Sequence, residues 1–349
     1  SWGFDEIIAH HPELDGGSLR AMCGSRPESR AWMERVVDYV MTEYDPDGVS
    51  MQSSDLGRCP CDACQEMSAL QYHALLNDQT ATYIRSRWPN KLIHINTWGM
   101  DLSNPDELPT LLQMTAHVDV LNDYNNSSAM RDPAYRQTLI RALRCAFGTE
   151  SGWWLDPPPF WDRLKWFIPI SVRNMPYYRG LFADGADAIE RYILPLANPG
   201  AEVGFLFDGM ALGDIRRDPL NTLAQALDIV FEPRTLAARE VLVNFWQMVE
   251  NAFLDNGRHG RQPQQIGLTS VHYSPLLPAT RVAERPEYLL RMKREGLAAY
   301  ADALRAALTA VTDIRAQLGN RQRATDLERA IGLALADVQR VLAYKAPAA

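Results

Sequence analysis

Short apolar runs, each ending on a polar tip and followed by a stretch of helical periodicity, recur along the first half of this chain. That alternation constrains the fold more tightly than any single residue does. Val49–Gln52 runs into Ser53-Ser54-Asp55, residues 91–97 (KLIHINT) into Trp98-Gly99, and residues 117–121 (HVDVL) into Asn122-Asp123-Tyr124. Ala146-Phe147-Gly148-Thr149 likewise leads to Glu150 and then Trp153-Trp154. Between the runs, apolar residues return at helical spacing: Trp32, Val36, Val37, Val40 and Met41 before Tyr44, then Leu70, Ala74, Leu75, Ala81 and Ile84 across 66–87. Further helices are expected over 105–115 and 133–145, the latter containing Cys145, a thiol expected to be buried and inert.

Strand, polar tip and helix in repetition with short connections predict a parallel α/β fold. An open doubly wound sheet is the runner-up. No glycine-rich phosphate loop follows a strand, and the tips carry carboxylates, amides and aromatics, the residue types from which barrel active sites are assembled. The expectation is therefore a (β/α)8 barrel of the TIM type over residues 1–215. Residues 1–20 read as loop, and 19–25 as a strand ending near Cys23. Trp166–Ile170 and residues 202–207 (EVGFLF) read as further strands, the latter closing the barrel at Asp208-Gly209. Ser1-Trp2-Gly3 resembles the inside of a domain, so a processed or truncated start and a barrel incomplete at its N-terminus are expected.

Residues 216–349 read as a helical region. Leu220, Leu223, Leu227 and Val230 form one buried stripe, and Val241, Phe245 and Val249 another. A loop rich in Gly, Pro and Gln covers 256–286, and two long helices over 287–344 meet at Gly319-Asn320. That hairpin is expected to pack on the barrel or to form a homodimer contact. No run of about 18 apolar residues exists to cross a membrane. A formal net charge of −8 with no clustered Lys or Arg disfavours a nucleic-acid groove.

Asp55, Asp123, Glu150 and Asp208 each follow an apolar run directly. Cleavage of a glycosidic bond needs a proton donor on one side and a base or nucleophile on the other. Any one strand-end Asp serves equally well to cap a helix or close a turn. The neighbouring Trp98, Tyr124, Trp153 and Trp154 tilt the reading towards a carbohydrate substrate, because aromatic faces suit the apolar faces of sugar rings. Arg58 and Arg131, near two of those tips, are candidates to pair with a substrate carboxylate.

Cys59-x-Cys61-x-x-Cys64 places three soft ligands on one loop, the donor set of zinc or an iron–sulfur cluster. A tetrahedral site needs a fourth, for which Cys23 is the first choice and His10, His11 or His73 weaker ones. The alternatives are two disulfides among the same residues, as a secreted enzyme would favour, or free thiols. A catalytic zinc is not expected, because no set of histidines accompanies the thiols.

His11-Pro12-Glu13, Cys23-x-Ser25-x-Pro27-Glu28, the Ser54-Asp55 tip followed by the cysteine motif, and Trp98 after a strand together resemble a group of bacterial proteins. These are the cysteine-motif relatives of the family 67 α-glucuronidases, and the resemblance covers roughly residues 1–250. It implies a (β/α)8 barrel with a C-terminal helical region and inverting hydrolysis of a carbohydrate, uronic-acid-containing ones included, with no cofactor for catalysis. Ser54-Asp55-Leu56-Gly57 is similar to the tip that carries the family's general acid, with Asp for Glu, one methylene shorter. Asp123 and Glu150 match in position the pair that activates water. The family's N-terminal β/α domain has no counterpart in this sequence. An N-acetylhexosaminide mechanism would need an Asp-Glu pair at a strand tip, and Asp106-Glu107 falls instead at a helix start. The reading from another class is a barrel that binds a glycan or a protein without catalysis, stapled by its cysteines.

Overall fold

The computed structural model describes residues 4–18, 22–52, 58–97, 100, 102, 104–123, 133–150, 171–190, 199–256 and 293–345. Five strands, β1 (Gly48–Gln52), β2 (Leu92–Asn96), β3 (Val120–Asp123), β4 (Ala146–Glu150) and β5 (Ala188–Glu190), form one sheet in the order β1-β2-β3-β4-β5. Every neighbouring pair is parallel. The α/β class expected from the sequence is thus the class observed. The strand order never reverses among the described residues, so the sheet has no switch point of the doubly wound kind there.

The chain divides into two compact units. The first takes residues 1–150 and 182–190, the other 151–181 and 191–349. In the first lie α1 (Phe4–His10), α2 (Pro27–Glu43), α3 (Asp62–Gln65), α4 (Ala69–Arg87), α5 (Leu108–Met114) and α6 (Pro133–Ala142). Strand alternation sorts its core. Ile93, Ile95, Leu121 and Phe147 are fully buried on one face of the sheet. Ser50 and His94 sit side by side on the opposite face, joined at 2.7 Å from Ser50 Oγ to His94 Nδ1. The amino ends of the strands are stitched by carboxylates. Asp119 accepts the Ile93 N–H at 2.8 Å and Arg85 at 2.6 Å, and Asp187 accepts the Phe147 N–H at 2.9 Å.

Several expectations meet a different outcome here. Residues 1–20, expected as loop, hold α1 and a 3₁₀ turn over Pro12–Leu14, opened by the fixed φ of Pro12. Of the expected strand over 19–25, Met22 makes an isolated antiparallel bridge to Asp15 and joins no strand of the sheet. β3 starts at Val120, because the residues before it turn after α5, and the Asp119 N–H makes the first bond to β2, on the Ile93 carbonyl at 2.9 Å. α6 ends at Ala142, so Cys145 lies half-buried in the bend before β4 and not in a helix. β5 has no counterpart among the expected strands: three residues after the positive-φ turn at Gly185 carry too short a pattern.

The largest correction concerns residues 202–207. They belong to α8 (Pro199–Gly213), not to a closing strand. Val203, Phe207 and Ala211 are fully buried at a spacing of four, a helical stripe, and Pro199 stands at the first helical position. A six-residue apolar run has no periodicity of its own to separate buried strand from buried helix. Asp208 is therefore a buried residue inside a helix of the other unit and not a strand tip. Trp166–Ile170 lies outside the described residues.

The second unit is helical, as expected beyond residue 216. After α7 (Met175–Ala183) and α8 come α9 (Pro219–Phe231), α10 (Leu236–Asn256), α11 (Arg294–Ile314) and α12 (Arg321–Tyr344). α10 packs along α11, α11 along α12 and α8 against α9. Trp246 is buried edge-on against Phe231, with ring centroids 6.2 Å apart. The hairpin tip is seated by the Gly319 N–H on the Glu232 carbonyl at 2.9 Å, and Asn320 caps α12 through the Arg323 N–H at 3.2 Å. Among the described residues no helix is long and apolar enough to cross a membrane.

Candidate metal centre

The loop after β1 is folded onto itself before it offers any ligand. Arg58 donates to the Gln65 carbonyl at 3.3 Å and to the Met67 carbonyl, and Gln65 donates back to the Cys59 carbonyl at 2.7 Å. Arg58, expected near a substrate carboxylate, here closes the cysteine loop. Cys61 stands at the start of α3, whose one turn brings Cys64 round to the same side, the Cys64 N–H bonding the Cys61 carbonyl at 3.0 Å. Cys23 arrives from another segment, pinned by its N–H to the Leu14 carbonyl at 2.7 Å.

One ligand atom from each of Cys23, Cys59, Cys61 and Cys64 lies within 4.8 Å of all the others. The Cys23 sulfur is 3.5 Å from that of Cys61 and 3.8 Å from that of Cys64. A tetrahedral ion with metal–sulfur bonds of about 2.3 Å spaces its sulfurs by about 3.8 Å. The set therefore fits one metal ion. A cubane iron–sulfur cluster interposes its own atoms and would hold the thiolates well beyond the observed 4.8 Å. All five cysteines of the chain are free thiols in this structure.

Burial works against ionising this set without a cation. It pushes the Cys59 and Cys64 thiols up, and neighbouring sulfurs add to the effect. Cys61 is the exception, held down to about 6 first by the Cys64 N–H and then by the Ser25 hydroxyl. Tyr72, packed on the cluster, is pushed up to about 12 by burial and by the charges of Cys64 and Cys59. A bound dication reverses that balance, because a coordinated thiol is deprotonated outright. Gly16 forms the wall behind the cluster. A Cβ there would overlap the Cys59 sulfur and stand 3.0 Å from the Cys23 sulfur.

The histidines stand apart from the sulfurs. His11 stacks on Trp32 at 4.5 Å and bonds Glu13 at 3.0 Å, His10 is exposed, and His73 is kept neutral to about 4 by burial and then by Arg58. A cavity of about 730 Å³ opens beside the loop between α2, β1 and α4. Its lining mixes apolar side chains such as Val36, Val40 and Ile84 with polar ones such as Glu34, Gln52 and Asn77.

The carboxyl ends of the strands bring another group of residues into line. Asp123 closes β3, fully buried, and accepts the Thr97 hydroxyl at 3.3 Å. Glu150 closes β4 in register with Glu190 of β5, while Thr149 is level with Asp123. One residue back, Gln52, Asn96 and Asn122 form a row across β1, β2 and β3. Asp55, Trp98, Tyr124, Arg131, Trp153 and Trp154 lie outside the described residues. Two residues of these sites escape sequence reasoning. Glu190 sits on a strand too short to recognise, and Gly16 has the appearance of an ordinary loop glycine.

In comparisons with known proteins, no family model and no curated relative matches this chain.

Proposed function

We propose that the chain is a glycoside hydrolase of (β/α)8 barrel type whose β1 loop is fixed by a structural zinc ion. The observation that carries the barrel reading is the unreversed order of five parallel strands, the arrangement a closed barrel requires. In that reading the carboxyl ends carry the chemistry, and Asp123, Glu150 and Glu190 come from three consecutive strands there. The resemblance to cysteine-motif relatives of the α-glucuronidases supplies the roles. Asp55 is the general acid, and Asp123 and Glu150 activate water on the opposite face of the sugar. Trp98, Tyr124, Trp153 and Trp154 line the sugar, which includes uronic-acid-bearing substrates. Zinc is preferred for the centre because four thiolates at tetrahedral spacing suit it, and no open position is left for catalysis.

The test is release of reducing ends from a panel of glycans and aryl glycosides, glucuronides included. Wild-type protein is expected to turn over at least one, and Glu150→Gln to lower kcat by roughly 10²–10⁴ while binding persists. Binding without turnover across the whole panel would favour the non-catalytic barrel, for which the buried Asp123–Thr97 pair is a structural feature only. Elemental analysis of protein purified without chelators is expected to give one zinc per chain.

A further inference from the structure

The four sulfurs of the centre differ in what surrounds them. Cys23, Cys59 and Cys64 are buried, with at most 5% exposure, and Cys61 alone is partly exposed. Gly16 closes the side of Cys59 and Cys23, and Tyr72, Met67 and Leu76 pack against the cluster. A reagent from solvent therefore meets the centre at Cys61. The Cys23 sulfur is 3.5 Å away, and the Ser25 hydroxyl touches both, at 3.1 Å from Cys23 and 3.7 Å from Cys61.

We propose that Cys61 is the oxidisable thiol of this centre and that a hydroperoxide joins it to Cys23, expelling the metal ion. The inference rests on the zinc reading above for its consequence, not for its chemistry. The Cys61 thiolate attacks one peroxide oxygen, the O–O bond breaks, hydroxide (or alkoxide) leaves, and Cys61 becomes a sulfenic acid. The Cys23 sulfur then attacks the Cys61 sulfur, the S–O bond breaks, and a further hydroxide leaves as the S–S bond forms. Two sulfurs have lost two electrons and the peroxide has gained them. Two thiolates do not make a tetrahedral site, so the ion departs and the link between residue 23 and the β1 loop becomes covalent.

The experiment treats the full chain with hydrogen peroxide, follows zinc with a chromophoric chelator, and maps disulfides by mass spectrometry of unreduced peptides. Cys23–Cys61 is expected as the first disulfide, forming in step with release of one zinc, while Cys145 remains free. Cys61→Ser is expected to slow release at least tenfold. Because that variant removes a ligand, the decisive readout is the map of the wild-type protein. A first disulfide between Cys59 and Cys64, or zinc loss with Cys61 unmodified, overturns the proposal. Should the purified protein hold no metal, the zinc reading fails by itself. The metal-free chain must then still give Cys23–Cys61 first, and any other first pairing sinks the inference.

Discussion

At the residue scale, two positions carry more than their chemistry suggests. Gly16 offers no ligand, yet any side chain there displaces the Cys59 sulfur. Gly16→Ala is expected to lower zinc affinity at least tenfold, measured by competition with a chelator. Gly180→Ala, where a Cβ meets nothing within 4 Å, should leave affinity unchanged. Glu250 is the other position. It is buried on α10 and accepts the Ser171 N–H at 2.6 Å and the Arg173 N–H at 3.2 Å. Burial raises its carboxyl from 4.5 to about 7 against the opposing pull of those donors and of Arg173. A raised pKa means that the folded state binds the proton more tightly. The stability this confers is present below the ordinary value of 4.5 and is lost as pH climbs through about 7, by about 3 kcal/mol at most. Urea midpoints between pH 5 and 8 should fall accordingly in the wild type. Glu250→Gln should flatten that slope, and an unchanged slope would remove Glu250 as its source.

At the scale of elements, the long helices are the most legible part of the sequence. α4 shows its start in Ser68 and Gln71, which form a reciprocal capping box, and its stop in Pro89 just after Trp88. Ser68→Ala is expected to cost about 1 kcal/mol. The strands are legible by their tips more than by their amino ends. Asp119 lies one residue before β3 and is read easily as a turn residue, yet it holds the β2 amide of Ile93 and Arg85 together. Asp119→Ala should cost about 2 kcal/mol, because it orphans the Ile93 N–H and removes the carboxylate from Arg85, which keeps the carbonyls of Pro89, Lys91 and His117. Asp38→Ala breaks the more exposed pair with Arg87, worth about 1 kcal/mol or less, together with the hydrogen bond from the Tyr83 hydroxyl at 2.7 Å. Denaturant titration of both variants compares them directly. The apolar run of α8 is not legible, since its helical stripe emerges only when Ala211 is counted with Val203 and Phe207.

At the scale of the whole molecule, the four-cysteine group that could hold a metal ion belongs to the first unit, and the helical hairpin to the other. Removing the proposed zinc ion should therefore act unequally. Calorimetry with and without a strong chelator is expected to lower one unfolding transition, with the transition of the helical unit unmoved. A uniform shift of all unfolding would contradict a centre that stabilises one unit.

The α/β class, the long helices and the three-cysteine loop with its candidate fourth thiol follow from the order of residues alone, because helical periodicity and ligand spacing are local properties. Packing was needed to bring Cys23 to the loop of Cys59, Cys61 and Cys64, to stand Gly16 against their sulfurs, and to line up Glu150 with Glu190. Packing also places Asp208 in a buried helix and not at a strand tip. The physical reason is the same in each case. A local pattern states which face of an element avoids water, whereas the partner that covers that face is set by contacts between segments far apart in the chain.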